Sequence, residues 1–224
     1  MHTAYMAVLT TTLSTGTPTV VRGQGVREVT SISYAVENAR DWKIDFSCTG
    51  APERQAVYDA YVEAELAWYI SGNLKAASAP SKFWGKLADA DGNIVSNYGY
   101  MMLHRKRADG MTEYEAVIKA LCDDQYSRKA VLHYSTPDNT IANKLDQPCT
   151  LSAVVFARDG ELHMHVTQRS LDAILGLPYD SAWHCWLIGK LAEDTGFKPG
   201  RFIHTVVNCH VYERHYDLAG KILS

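Results

Sequence analysis

The chain has 224 residues, 46% apolar and 21% charged, with 22 Lys and Arg against 25 Asp and Glu for a net charge of −3; this is enough for one well-buried domain spanning 1–224, of α/β or α+β type. A slightly acidic balance without a dense Lys/Arg stripe argues against a nucleic-acid groove or a membrane-surface protein. Five cysteines placed singly, with no C-x-x-C pair, fit reduced thiols and a cytoplasmic setting, and "MHTAYMAVLTTTLSTG" has neither a basic leader nor a long apolar run, so no signal peptide or membrane span is expected.

Apolar residues at helical spacing over 5–13 predict a helix that stops at Gly16-Thr17-Pro18, after which "VVRGQGVREVTSISYAVE" alternates like two strands around a glycine turn. The stretch "ERQAVYDAYVEAELAWYISG" predicts a helix with Val57, Tyr61, Ala64 and Trp68 as its apolar stripe and Gly72 as its stop. Glu65, one turn after Tyr61, falls close to that stripe; it reads either as a rim charge with its stem on apolar surface or as a buried acid with chemistry to do. Residues 75–99 read as loop, and "HRKR" at 104–107 as a solvated basic run. A helix over 112–122 follows, with Val117 and Leu121 on one side, then a strand in "RKAVLHYS" and a polar connection over 136–146.

"LSAVVFARDGELHMHVTQ" reads as a hairpin closed by Asp159-Gly160, and "DSAWHCWLIGKLAEDTG" as a helix with Asp180 or Ser181 at its N-cap and Gly196 at its end. Cys185 falls within that helix as packing. In the final strand, "RFIHTVVNCHVYERH", period-two geometry puts Asn208, His210 and Tyr212 on one face and turns Cys209 to the core. His163 and His165 share a strand face, but no neighbouring Cys or acid completes a ligand set, so no metal is expected.

A single cysteine beside a strand is most often a small buried hydrophobe. Cys149 differs in context: a Pro-Cys step just before a strand exposes the thiol at the strand's mouth, and "QRS" at the end of the paired strand returns the Arg169 guanidinium to the same end. Such a cation favours thiolate over thiol.

The segments "GTPTVVRGQG", "ELAW", "NYGY", "SRK", "PCT", "RDGELHMHVTQRSLDAILGLPYD" and "HVYERH" occur in this order along nearly the whole chain. Together they resemble thymidylate synthase and its relatives, the pyrimidine-nucleotide hydroxymethylases, and come closest to the cytidylate (CMP/dCMP) 5-hydroxymethylases. The resemblance implies an α+β fold, a large twisted mixed β-sheet flanked by helices, with one sheet face used for dimerisation. It implies Cys149 as the nucleophile that adds to C6 of the pyrimidine, and Glu65 as the acid-base residue. Tyr98 would support a water chain to C5. Arg22, Arg169, Ser170 and Arg128 would hold the 5′-phosphate, Arg128 and its neighbour Lys129 reaching across from the partner of a homodimer. Lys129 stands where a second arginine is usual, keeping the charge and losing the bidentate fork. Gln168 and Asp172 would frame the base and the pterin, His210 and Tyr212 would meet the sugar hydroxyls, and Trp84 would stack on the folate. The one-carbon donor implied is 5,10-methylenetetrahydrofolate.

Two departures from the thymidylate synthase pattern set the expected reaction. Asp180 stands where those enzymes carry an asparagine, whose amide both accepts from N3–H and donates to O4 of uracil; an ionised carboxylate only accepts, which suits the N4 amino group and a protonated N3 of cytosine. Loss of one such buried hydrogen bond is worth about 1–3 kcal/mol. Only nine residues follow His215, where thymidylate synthases continue into a lid; an open site lets water, in place of folate hydride, meet the exocyclic methylene. The expected product is therefore a 5-hydroxymethyl cytosine nucleotide, from CMP or dCMP. Reductive methylation of dUMP or dCMP is the first rival and would convert the folate to dihydrofolate. A non-catalytic nucleotide-binding protein is the second, and would never release the C5 proton.

Overall fold

A computed structural model describes residues 1–136 and 146–224; between its two ends, the polar connection read over 136–146 lies outside the described residues. Helix α1 (His2–Thr15) buries Tyr5, Val8, Leu9 and Thr12 and runs into a hairpin of β1 (Thr17–Val21) and β2 (Gln24–Val36). The hairpin turn is Arg22-Gly23, with φ of 53° and 75°. Paired left-handed residues match the twist of the flanking strands, so Gly23 makes the turn easy and Arg22 is carried at its exposed tip.

Helix α2 (Arg54–Ser71) ends at Gly72 in the left-handed conformation, as expected. Its buried face is Tyr58, Val62, Glu65, Trp68 and Tyr69, whereas Val57 is 62% exposed and Ala64 is also exposed. The expected stripe is thus rotated, and only Trp68 of it is buried. Tyrosines supply the apolar body that a hydropathy reading assigns to the valine and alanine, because a phenol buries its ring and keeps a polar tip. The rotation puts Glu65 in the middle of the buried face.

Helix α3 (Glu113–Asp123) starts at a reciprocal capping box between Thr112 and Glu115. It leads to β3 (Val131–His133), shorter than the strand expected there, and then to β4 (Thr150–Arg158) and β5 (Glu161–Gln168), joined by the predicted Asp159-Gly160 turn. After β6 (Leu171–Asp172) comes α4 (Leu177–Thr195), which closes at Gly196. Its start corrects the expected cap: Pro178 sits in the first turn, where a missing N–H does no harm, so the helix begins at Leu177 and Asp180 lies inside that turn. The long strand β7 (Lys198–Tyr212) and a short helix α5 (Tyr216–Leu223) complete the chain. α5 was not anticipated, since eight residues are too few for a clear periodicity.

The strands form one mixed sheet in the order β1-β2-β7-β5-β4-β3, with β6 also on β7. β7 is antiparallel to β2 and parallel to β5, a step that needs a crossover, which α4 provides. Along β7 the buried parity changes: Phe202, His204 and Val206 are buried, and then so are Cys209 and Val211. The change falls at Val207, opposite Ser31, whose φ is 62°. Below the kink the even-numbered residues pack under α4; beyond it Asn208, His210 and Tyr212 are left half-buried and directed away from the core, while Cys209 packs inside as expected. Among the described residues no helix is long and apolar enough to cross a membrane.

Gly99 is where the segment carrying Tyr98 crosses α2. A Cβ on Gly99 would overlap the Tyr69 backbone carbonyl, whereas one on Gly189 in α4 meets nothing. Gly99→Ala is expected to cost about 1–3 kcal/mol and Gly189→Ala to gain roughly 0.5–1 kcal/mol, both read as shifts in the urea midpoint.

Candidate active site

Cys149 is half-buried on the residue before β4. Its carbonyl accepts from the Arg169 N–H at 2.9 Å at the end of β5, and the next N–H, from Thr150, donates to the Tyr98 hydroxyl at 3.1 Å. The Arg169 guanidinium folds back on the loop that carries the thiol, Nε donating to Pro148 O at 3.1 Å and Nη2 to Gln147 O at 2.9 Å. The strand ends therefore bring the predicted thiol and cation together. Their electrostatic outcome differs from expectation. Burial raises the Cys149 thiol; Arg169 and Arg22 pull it down, and Asp180 and Asp146 push it up again, so it rests above its ordinary value. At neutral pH Cys149 is therefore mainly a thiol.

Two carboxyls lie near one another beside this region, Asp180 half-buried and acting on the thiol, Glu65 buried and acted on by Asp180. Glu65 is 6% exposed and accepts from the Tyr61 hydroxyl at 3.0 Å. Burial, with the Asp180 charge added, pushes it up to about 8. Asp180 accepts from Gln168 Nε2 at 2.8 Å, and burial lifts it to about 6. At neutral pH Glu65 is thus mainly protonated and Asp180 mainly ionised, a separation that gives one carboxyl a proton to donate and the other a lone pair to present. Gln168 spends its second N–H on Ser170 O at 3.0 Å, and its Oε1, in a residue 1% exposed, has no partner among the described residues.

The remaining predicted residues divide into those at this cluster's rim and those away from it. Trp84, half-buried, rests against Trp68 with ring centroids 5.1 Å apart, and its Nε1 donates to the Tyr61 hydroxyl at 3.3 Å. Tyr61 thereby links the platform Trp84 to Glu65; the i to i+4 spacing in "YVEAE" is the sequence signal for it. Asp172 accepts at Oδ1 from the Ile174 and Leu175 N–H groups. Asp172 is paired across the sheet with His210, whose ring meets Tyr212 edge-on at 5.1 Å. Arg214, not anticipated, lies 4.0 Å above the Tyr212 ring. Asp146, also missed, is buried and accepts from the Ser96 N–H at 2.8 Å. Arg128 and Lys129 are exposed between α3 and β3, and neither is among the leading charges on Cys149. His165 bonds Thr205 on the sheet's open face, and the described residues contain no cluster of His, Cys, Asp and Glu suited to a metal.

The sequence profile of Thymidylate synthase matches residues 3–224. The chain belongs to the thymidylate synthase family. Among its curated relatives are the deoxycytidylate 5-hydroxymethyltransferases of Enterobacteria phages T4, T2 and T6, each 30% identical over 177 residues, covering 73% of this chain and 71% of theirs. Thymidylate synthase family members carry out folate-dependent one-carbon transfer to C5 of a pyrimidine nucleotide, with methylenetetrahydrofolate as donor. The residues present fit such a group: Trp84 offers a held ring face, Asp172 a half-buried carboxylate, and Gln168 an unpartnered buried acceptor.

The raised Glu65 has a consequence for stability. Its folded-state affinity for a proton exceeds that of the unfolded chain, so its contribution is fully present below about pH 4.5 and is lost as the pH rises through about 8. Glu65→Gln keeps the Tyr61 hydrogen bond and removes the titration. The variant is expected to match the parent at pH 4 and to exceed it by roughly 3–5 kcal/mol at pH 9, in paired urea titrations.

Proposed function

We propose that this chain transfers a one-carbon unit from 5,10-methylenetetrahydrofolate to C5 of a cytosine nucleoside 5′-monophosphate and hydrates it, giving the 5-hydroxymethyl nucleotide. The observation that carries the reading is Asp180. One of its oxygens is held by Gln168 Nε2, an arrangement that leaves a mostly ionised carboxylate to accept from the cytosine amino group and from a protonated N3. The same group would set lone pair against lone pair at O4 of uracil. The deoxycytidylate 5-hydroxymethyltransferase activity of the three phage relatives supports both the cytosine base and the hydroxymethyl product, and makes dCMP the first nucleotide to assay, ahead of CMP.

In this reading the single catalytic domain spans 1–224. The Cys149 sulfur adds to C6 as its proton passes through water to N3, the nitrogen that faces Asp180 in its protonated form, and C5 is left as the electron-rich end of an enamine. Glu65, protonated at neutral pH, supplies and recovers protons at the ring, with Tyr61 fixing its carboxyl. Tyr98 lends its hydroxyl to Thr150 N–H as acceptor and keeps its own proton for a water near C5. Bound methylenetetrahydrofolate supplies carbon at the formaldehyde oxidation level; Trp84 stacks on it and Asp172 accepts from its pterin. Arg22, Arg169 and Ser170 hold the 5′-phosphate. The exposed Arg128 and Lys129 serve the same phosphate in the partner of a homodimer, formed through the open sheet face that carries Val154, His165, Thr205 and the 51% exposed Val207.

Incubation of the protein with the folate and dCMP, CMP or dUMP, followed by mass analysis, tests the assignment. A cytosine nucleotide is expected to gain CH2O; a gain of CH2 with formation of dihydrofolate would replace the reading with reductive methylation. Asp180→Asn is expected to move the cytosine-to-uracil ratio of kcat/KM by about tenfold to a hundredfold toward uracil, and Cys149→Ser to abolish release of tritium from C5.

A further inference from the structure

Glu28 on β2, His210 on β7 and Asp172 on β6 stand side by side in register across the site edge of the sheet. Two residues before His210, Asn208 Nδ2 donates to Glu28 Oε2 at 2.9 Å, and Asn208 Oδ1 lies 3.2 Å from His210 Nδ1. The chemistry of the carboxylate decides the rest. An ionised Glu28 has only lone pairs, so the end that Asn208 turns to it must be the NH2, and the carbonyl end then faces His210. A carbonyl oxygen only accepts. His210 Nδ1 therefore carries the proton, and a neutral ring protonated there presents a bare lone pair at Nε2.

We propose that Glu28, acting through Asn208, is a positioning residue that locks His210 in the Nδ1–H form and so makes the sugar edge of the site demand a hydroxyl able to donate. A nucleoside 5′-monophosphate with a free hydroxyl at that edge is accepted. One whose oxygen there is alkylated, phosphorylated or joined to a further nucleotide has no proton to give and is refused. This rests on the reading of His210 as the sugar contact. Groups from each packed element act on the ring: Asp172 from β6, Glu28 from β2, and Tyr212 and Arg214 from the end of β7 and beyond, with His215 against Tyr212 behind them. Burial lowers the His210 proton affinity, and Arg214 adds to that, against the pull of Asp172 and Glu28; the balance favours the neutral ring that the lone pair requires.

The tautomer is measurable in the unmodified protein by nitrogen-15 NMR of His210. Nδ1 is expected to be protonated and Nε2 bare; the reverse pattern overturns the proposal without any variant. Glu28→Gln frees Asn208 to turn over, and is expected to mix the tautomers, weaken dCMP binding about tenfold and reduce discrimination against the 3′-O-methyl analogue. The double variant E28Q/N208D exchanges amide and carboxylate and again sets an acceptor against Nδ1, so tautomer and affinity should both return. Unchanged binding and tautomer in E28Q would overturn the role of Glu28. If the tautomer is as expected but His210→Ala leaves dCMP affinity unaltered, the sugar-contact reading fails and the hydroxyl requirement falls with it, while the relay stands.

Discussion

Glu65 and Asp180 are two carboxyls folded into the same water-poor wall, and the field of one acts on the other. Both cannot be ionised cheaply in a low dielectric, so the proton settles on Glu65 and the charge on Asp180. Each side of that division has its own support. Tyr61 donates to Glu65 and Gln168 to Asp180, and the two donors come from different elements, α2 and the end of β5. The first turn of α4 brings Asp180 to the place where both supports can act, and His184, one turn on, donates from Nδ1 to the Asp180 carbonyl at 2.7 Å. An ionised carboxylate and a neutral acid are thus one electrostatic arrangement seen from two residues.

The surrounding scaffold is built to keep these groups dry. Trp183 and Tyr134 are fully buried and hydrogen-bonded to each other at 3.1 Å, and the rings of Tyr98, Tyr69 and Trp183 pack in that order, with the Tyr98 hydroxyl at the thiol loop. Below them His184, lowered by burial to about 4, and His204, also held well down by burial, stay neutral. Tyr34 joins His204 to Ser181 beside the site. Such a wall strengthens every hydrogen bond inside it, and it penalises the charged form of every acid it encloses. The thiol of Cys149 bears the same penalty, which is why two nearby arginines do not suffice to ionise it.

Features that depend on local chemistry were legible in the sequence. Arg22-Gly23 and Asp159-Gly160 make turns because of what their own backbones tolerate, Thr112 and Glu115 cap a helix within four residues, and Gly72 and Gly196 stop helices where they stand. The meeting of Cys149 with Arg169 was legible too, since a hairpin returns its ends to one place. What failed depended on neighbours far along the chain. The α2 face turned because tyrosines buried their rings against α1, α4 and the segment around Phe46. The start of α4 moved because Pro178 fits a first turn as well as an aspartate fits a cap. The state of the thiol is a sum of burial and four charges from separate elements, and no spacing reveals its sign.

β7 passes beneath α4 and then along the edge where His210 and Tyr212 stand, and the change at Val207 opposite Ser31 lets it do both. Up to that point even-numbered side chains are the ones hidden; afterwards they are the ones presented. The strand behaves as two reading frames spliced at a single residue. Removing one residue near the splice would exchange the frames, sending His210 and Tyr212 inward and turning Cys209 and Val211 outward. A change of length by one residue in this segment is therefore costly, whereas a change by two keeps each frame on its own side.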